Sequence, residues 1–239
     1  MRAVFFDVDD TLVDWHGAAE AAHRQVFGSE VAYRDWVSMN HYSRFATGEW
    51  GFEEMRTHRM SDFLSAIGRV QDVSRAAELE ARRMELIMAG CALFDDVEQC
   101  LALVRDRGLL VGLITNNDSV HQREKLRKVG LIDRFDTIVI SGEVGAWKPD
   151  SAIFEHACRA VGVRPEQAMH VGDLLDVDAQ AAQRAGLHGV WLDRHGRGDS
   201  GGGSDPPNAP ARPVSRLRGL MELEALLIAG SAESGATSR

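Results

Sequence analysis

Ten residues near the start of the chain decide its fold: Val4-Phe5-Phe6-Asp7-Val8-Asp9-Asp10-Thr11-Leu12-Val13. The apolar run that opens this stretch predicts a short strand that is buried on both faces. Asp7, Asp9 and Asp10 follow it, and charge without a partner is too costly to bury. These acids therefore lie at the exposed carboxyl end of the strand or hold a cation. In an open parallel sheet that end is where ligands bind, and the alternative is an acidic turn that caps a helix.

The composition is that of a globular protein with a core of its own. Of its 239 residues, 44% are apolar and 26% are charged, which is ordinary for a soluble domain. The net charge of −9 argues against a general binder of nucleic acid or membrane surfaces. The three cysteines lack metal-ligand spacing, no stretch is long enough to span a membrane, and the first acids come too early for a signal peptide. We therefore expect a cytoplasmic protein with reduced thiols and with neither nucleic acid nor membrane as a partner.

Strands and helices alternate along most of the chain. After the first strand, apolar runs predict four more, at Leu109–Ile114, Thr137–Ile140, Ala168–Val171 and Gly189–Leu192. Helical patterns separate them, and this spacing predicts βαβ units and a parallel sheet. The fold class that we predict is therefore α/β, with a Rossmann-like three-layer α/β/α core around a central parallel sheet.

A helical block interrupts this alternation between the first two strands. No strand is predicted from about residue 17 to residue 89, and apolar residues recur there at helical spacing. Four glycines punctuate four predicted helices: Gly28, Gly48, Gly68 and Gly90. The block predicts an inserted helical domain at 15–90, within a core that is formed by 1–14 and 91–230.

The last part of the chain predicts a loop, a helix and a tail. Residues 196–213 are rich in Gly, Pro, Ser and Asp, a composition typical of a flexible loop, here within the core. A final amphipathic helix is predicted over roughly Ser215–Ile228 and packs on the core. Residues 231–239 predict a disordered tail.

Four polar clusters stand at the ends of predicted parallel strands or in the loops after them: Asp7 with Asp9, Thr115 with Asn116, Lys148, and Asp173 with Asp176 and Asp178. Such loops open on one edge of the sheet, so the clusters can meet. Several carboxylates would repel one another unless a divalent cation holds them, and Mg²⁺ suits oxygen ligands. Threonine can hydrogen-bond a tetrahedral oxyanion, and lysine adds a compact positive charge beside it. A carboxylate can also act as a covalent nucleophile.

With these clusters in this order, the chain resembles the haloacid dehalogenase-like superfamily, in its phosphatase branch with a helical cap inserted after the first motif. The family's four motifs match at Asp7-Val8-Asp9-Asp10-Thr11-Leu12-Val13, Ile114-Thr115-Asn116, Gly145-Ala146-Trp147-Lys148-Pro149-Asp150 and Val171-Gly172-Asp173-Leu174-Leu175-Asp176-Val177-Asp178. Each motif is weak alone, but four in order at the ends of predicted strands are specific. The resemblance covers about residues 1–193 and implies a hydrolase of phosphoric monoesters.

The resemblance implies a role for each matched residue. Asp7 would be the nucleophile that attacks phosphorus, and Asp9 would protonate the leaving oxygen and then activate water. Lys148 would neutralise charge on Asp7 and on the phosphate. Thr115 would hold a phosphoryl oxygen through its hydroxyl, helped by the backbone near Asn116, so both residues are predicted to bind substrate.

The cofactor that the resemblance implies is Mg²⁺. The carboxylates of Asp7 and Asp173 and the backbone carbonyl of Asp9 would hold it. Asp178 would support the site through water or through the lysine of the third motif. Asp176 has two readings, as a further member of the site and as a solvated or helix-capping residue, and the sequence leaves both open.

The acid at Asp9 also separates the branches of the family. Dehalogenases that resemble this chain lack it, and phosphonatases use a lysine from the cap, whereas residues 17–89 contain none. We predict a Mg²⁺-dependent phosphatase that hydrolyses small-molecule phosphomonoesters through an aspartyl-phosphate. Its expected partner is a small phosphorylated metabolite, and its expected assembly is a monomer or homodimer. The alternatives are a phosphomutase of the same family and a non-catalytic protein that binds a phosphometabolite.

Overall fold

A computed structural model describes residues 1–39, 41–69, 72–196 and 214–228. The predicted tail at 231–239 and all but the first residue of the predicted loop at 196–213 lie outside the described residues. Contacts divide the chain into two units, one formed by Met1–Val13 with the chain from Leu93 onward and the other by Asp14–Ala92. The domain bounds expected from the sequence, a core at 1–14 and 91–230 and a cap at 15–90, stay predictions.

Six strands form one sheet in the first unit. They are β1 (Ala3–Phe6), β2 (Leu110–Thr115), β3 (Thr137–Ile140), β4 (Ala168–Gly172), β5 (His188–Leu192) and β6 (Ser215–Leu217). Their order is β3-β2-β1-β4-β5-β6, and every neighbouring pair is parallel. The predicted α/β fold with a central parallel sheet is therefore confirmed.

β1 lies at the centre of the sheet, between β2 and β4. All four of its residues are fully buried, as expected for a strand of a parallel sheet that is covered on both faces. Phe6 pairs with Leu113 of β2 and with Val171 of β4. The next residue, Asp7, therefore emerges at the carboxyl edge of three adjacent strands.

The C-terminal helix predicted over Ser215–Ile228 is wrong in its first part. Ser215–Leu217 is β6, the edge strand that pairs with β5, and among the described residues of this segment helix covers 223–228, after a single 3₁₀ turn. The guanidinium of Arg216 pairs with Asp193 and lies 4.7 Å from the ring centroid of Trp191. These tertiary contacts, with the strand hydrogen bonds, outweigh the local helical pattern.

The elements described in the second unit are all helices. Its helices are α1 (Trp15–Phe27), α2 (Tyr33–Ser38), α3 (Tyr42–Ala46), α4 (Phe52–Ala66) and α5 (Val73–Gly90). These are five helices where four were predicted, because two short helices lie between Gly28 and Gly48. The ring of Trp36 packs edge-on against Phe63 at 5.2 Å, and both rings are buried in the core of this unit. Most of its large apolar side chains thus serve packing.

Helices also connect the strands of the first unit. They are α6 (Val97–Asp106), α7 (Ser119–Lys128), α8 (Ser141–Val144), α9 (Ser151–Ala160) and α10 (Ala181–Arg184), the last preceded by a π-helical segment, Leu175–Gln180. The side chains of Asp118 and Asp150 accept backbone hydrogen bonds at the starts of α7 and α9, as N-capping residues do. Within the described ranges, no helix combines the length and apolarity needed to cross a bilayer.

Candidate active site

The chain turns sharply as it leaves β1. The backbone N–H of Asp7 still donates to the carbonyl of Val171, at 2.9 Å, and the carbonyl of Val8 then accepts two bonds from the end of the turn, each at 2.9 Å. Asp10 has a φ of 58°, a left-handed conformation that Asp tolerates better than most residues. The turn keeps Asp7 and Asp9 at the carboxyl edge of the sheet.

Lys148 joins two of the predicted acids. Its Nζ lies 2.6 Å from Asp7 Oδ1 and 2.5 Å from Asp178 Oδ1. Burial alone would lower the pKa of Lys148, but the two carboxylates raise that pKa above its usual value, so the amine stays charged.

The amide of Asn116 fixes the loop that carries this lysine. Asn116 Oδ1 accepts from the Lys148 N–H at 2.8 Å, and Nδ2 donates to the Lys148 carbonyl at 2.7 Å. The side chain of Asn116 thus positions Lys148, and the predicted contact between Asn116 and substrate stays a prediction.

Asp178 supports the lysine directly, without an intervening water. Its carboxylate is buried and is also contacted by His170 Nε2 at 3.0 Å and by the backbone N–H of Leu174 at 3.1 Å. Burial would raise the pKa of Asp178, but Lys148 and His170 hold it well below its usual range. Asp176, by contrast, is exposed and accepts a hydrogen bond from the next backbone N–H. Of the two readings left open for Asp176, its position fits a solvated residue.

Three carboxylates crowd together at this edge. Oxygen atoms of Asp7, Asp173 and Asp178 all lie within 4.8 Å of one another. Burial raises the pKa of Asp7 to about 7, with Lys148 opposing the shift and Asp178 adding to it. Burial, together with the charges of Asp178 and Asp7, raises the pKa of Asp173 to about 9.

This charge distribution fits a divalent cation. Because Asp178 is already bonded to Lys148 and His170, the carboxylates of Asp7 and Asp173 are the ones suited to hold it. A hard cation with oxygen ligands, such as Mg²⁺, would remove the repulsion that opposes their ionisation.

Thr115 occupies the end of β2 and is 1% exposed. Its Oγ1 accepts a hydrogen bond from Gln122 Nε2 at 3.0 Å. Since an oxygen lone pair is used in this bond, the hydroxyl hydrogen is left to donate in another direction. The predicted contact between this hydroxyl and a phosphoryl oxygen stays a prediction.

Asp9 has a partner that the sequence analysis missed. Lys125 Nζ contacts both of its carboxylate oxygens, at 2.6 and 2.8 Å. Asn117 Nδ2 lies 3.4 Å from Asp9 Oδ2. Sequence reasoning also passed over Gln122 and His170. The available signal was on α7, where Gln122 and Lys125 fall on the helix face that the apolar Leu126 also occupies.

Carboxylates, buried lysines and a threonine at the carboxyl edge of a parallel sheet define an α/β protein whose site suits an anionic ligand with a cation. The sequence model of the haloacid dehalogenase-like hydrolases matches residues 1–186. The chain belongs to this family, which confirms the resemblance, and it is a hydrolase.

Three relatives with named activities are phosphatases. The phosphoserine phosphatase of Thermus thermophilus is 39% identical over 66% of this chain, which spans 59% of that relative's length. The glyceraldehyde 3-phosphate phosphatase of Methanopyrus kandleri is 30% identical, with 93% of this chain and 97% of the relative covered. The N-acylneuraminate-9-phosphatase of Mus musculus is 30% identical, with coverage of 95% and 94%.

Solved structures show the same fold. The HAD-hydrolase YfnB of Bacillus subtilis, in a structure bound to magnesium, superposes with a TM-score of 0.76 at 24% identity, covering 95% of this chain and 98% of its own. The L-2-haloacid dehalogenase of Xanthobacter autotrophicus gives a TM-score of 0.74 at 18% identity, covering 95% and 98%. At these identities the similarity concerns the fold alone.

Proposed function

We propose that this hydrolase is a Mg²⁺-dependent phosphatase that cleaves small-molecule phosphomonoesters through an aspartyl-phosphate on Asp7. The observation that carries the proposal is the environment of Asp7, a buried carboxylate whose Oδ1 is held 2.6 Å from Lys148 Nζ beside a second, half-buried acid, Asp173. The relatives' names support the reaction class. The substrates in these names differ in their leaving group and share the phosphomonoester, so the names support no particular substrate.

Asp7 and Asp173, with the backbone carbonyl of Asp9, would hold the Mg²⁺. The metal would supply positive charge to the phosphoryl oxygens and screen the carboxylates from one another. The pKa values of Asp7 and Asp173, raised to about 7 and about 9, describe the protein without that charge.

The first chemical step forms the Asp7–phosphorus bond and breaks the bond to the leaving oxygen. Lys148 holds one oxygen of Asp7, which fixes the carboxylate for in-line attack and offsets the negative charge that accumulates. The hydroxyl of Thr115 donates to a phosphoryl oxygen, and Asp9 gives its proton to the leaving alkoxide.

The second step returns the enzyme to its starting state. The carboxylate of Asp9 takes a proton from water as the water oxygen attacks phosphorus, and the Asp7–phosphate bond breaks to release inorganic phosphate. Asp9 thereby recovers the proton that it lost in the first step, so the cycle consumes one water and one phosphomonoester.

The test is phosphate release from a panel of phosphorylated metabolites and p-nitrophenyl phosphate, with Mg²⁺ and with EDTA. We expect EDTA to abolish release, and Asp7→Asn to lower turnover at least ~10³-fold while the protein stays folded. Asp176→Asn is the matched control, because this nearby acid is exposed, and it should retain wild-type turnover. Full activity of Asp7→Asn, or release that EDTA does not alter, would contradict the proposal.

A further inference from the structure

Lys125 is a buried cation that the proposed mechanism does not use. Of the 27 basic residues in the chain, three are lysines, Lys125, Lys128 and Lys148. Lys148 contacts Asp7, and Lys125 is 0% exposed and contacts Asp9, the second carboxylate of the first motif. The carboxylate binds the ammonium group in a bidentate manner, since Nζ lies 2.6 Å from one carboxylate oxygen and 2.8 Å from the other.

Gln122 holds this lysine in place. Its Oε1 accepts from Lys125 Nζ at 2.9 Å and from Asn117 Nδ2 at 2.7 Å, while its Nε2 donates to Thr115 Oγ1 at 3.0 Å. The two donors on one side and the hydroxyl on the other fix the orientation of the amide, because a flipped amide would set its NH₂ against two donors. The side chain is 0% exposed, so water does not compete for these bonds.

The geometry points to Lys125 as a positioning residue that acts through Asp9, and this inference rests on the proposed function. The side chain of Asp9 is 25% exposed and stands in a turn, where a carboxylate with no anchor can rotate among several rotamers. Lys125 holds the Asp9 carboxylate in one orientation. Gln122 bonds to both Lys125 Nζ and the hydroxyl of Thr115, so it connects the two groups. Side chains from one turn of α7 thus position both the proton donor, Asp9, and the phosphoryl-binding hydroxyl of Thr115.

A purely structural role explains these contacts less well. Burying an ammonium group has a large desolvation cost, and apolar side chains of similar volume replace buried ion pairs with little or no loss of stability. What Lys125 adds over a methionine is charge and two directed hydrogen bonds to Asp9.

Leaving-group dependence tests this role. The departure of p-nitrophenolate needs no proton, whereas an alkoxide must be protonated as it leaves. We therefore expect Lys125→Met to lower kcat/KM about 10- to 100-fold for the alkyl monoester that the wild type cleaves fastest, and less than about threefold for p-nitrophenyl phosphate. Lys128→Met is the matched control, because Lys128 is exposed on the same helix, and it should leave both values unchanged.

A double-mutant cycle separates action through Asp9 from a general loss of structure. Lys125→Met should have no further effect in an Asp9→Asn background, measured in single turnovers of p-nitrophenyl phosphate and of the alkyl monoester. If Lys125→Met does not fold, Lys125→Gln keeps a polar group beside Gln122 and is measured in the same way. Equal losses for both substrates, or a loss that persists beside Asp9→Asn, would overturn the inference and leave the phosphatase proposal intact. A wild type that cleaves no monoester would overturn both.

Discussion

The ammonium group of Lys148 faces the carboxylates of Asp7 and Asp178 at the centre of the site, and Asp173 lies close to both acids. The pKa values of these three carboxylates differ widely. Asp178 has both Lys148 and His170 as partners, so its pKa is held low. Asp7 shares the same lysine, but burial, together with the charge of Asp178, raises the pKa of Asp7 to about 7. Asp173 has the highest pKa of the three, about 9. The residues that would hold a cation are thus the ones whose ionisation the protein alone supports least.

This imbalance predicts that Asp173→Asn stabilises the metal-free protein at alkaline pH. The pKa of Asp173 rises from 3.8 to about 9 on folding, so the folded state binds the proton more tightly than the unfolded state does. Its contribution to stability is therefore fully present below about pH 4 and is lost as pH rises toward 9. We expect the variant to gain on the order of 1–3 kcal/mol in unfolding free energy near pH 8 in EDTA.

Chemical denaturation near pH 8 and near pH 5 measures the effect. The gain should be smaller at the lower pH, because the cost of keeping this carboxyl protonated in the folded state grows as pH rises above its unfolded pKa of 3.8. Asp176→Asn, a change at an exposed position, serves as control. A gain that is the same at both pH values would show that the carboxylate charge is not its cause.

At the scale of elements, the π-helical segment Leu175–Gln180 carries Asp178 to Lys148 and packs tightly on β5. Gly189 of β5 has no room for a side chain, since a Cβ there would lie 1.9 Å from the carbonyl oxygen of Ala179. That atom belongs to backbone and cannot move without shifting the segment. The position of Asp178 therefore depends on a glycine in another element.

Gly189→Ala is expected to displace this segment and to impair both stability and activity. The overpacking should cost about 1–3 kcal/mol, and a shift of Asp178 by about 1 Å can lower turnover ~10²-fold because Lys148 loses its alignment. Thermal denaturation and phosphate release check the two effects. Gly90→Ala is the control, because its Cβ would lie 3.6 Å from Ala18, an ordinary contact, and should leave both measurements near wild type.

Elements that depend on local sequence patterns could be predicted from the sequence, whereas elements that depend on distant contacts could not. β1 to β5 follow from apolar runs of strand length, and the acids of the first and fourth motifs follow from their places at strand ends. The strand β6 could not be predicted, because pairing with β5 overrides the helical pattern of the sequence after Ser215. Lys125 looks like part of a basic, solvated helix in sequence. Its place on the same helix face as the apolar Leu126 is a local sign of burial, but its pairing with Asp9, more than a hundred residues away, is not reported by any local pattern.

For the whole molecule, the net charge of −9 would repel a phosphorylated ligand at long range, so attraction must be local. Lys148 and Lys125 supply positive charge at the sheet edge, but each is paired with carboxylates there. A bound dication would turn the local potential favourable to an anion. Recognition of a phosphate by this protein should therefore depend on the metal as well as on side chains.

The last prediction links metal, protons and global stability. Mg²⁺ must displace protons from Asp7 and Asp173, whose pKa values are raised to about 7 and about 9, so its affinity should rise with pH and binding should release protons. A ligand that binds the folded state stabilises it as its concentration exceeds the dissociation constant. The rise in Tm on adding a fixed millimolar concentration of Mg²⁺ should thus be larger at about pH 8.5 than at about pH 6. Calorimetric titration in buffers of different ionisation enthalpy measures the protons released. Asp173→Asn should weaken both effects, whereas an equal Tm shift at the two pH values, or proton uptake on binding, would mean that Mg²⁺ binds elsewhere.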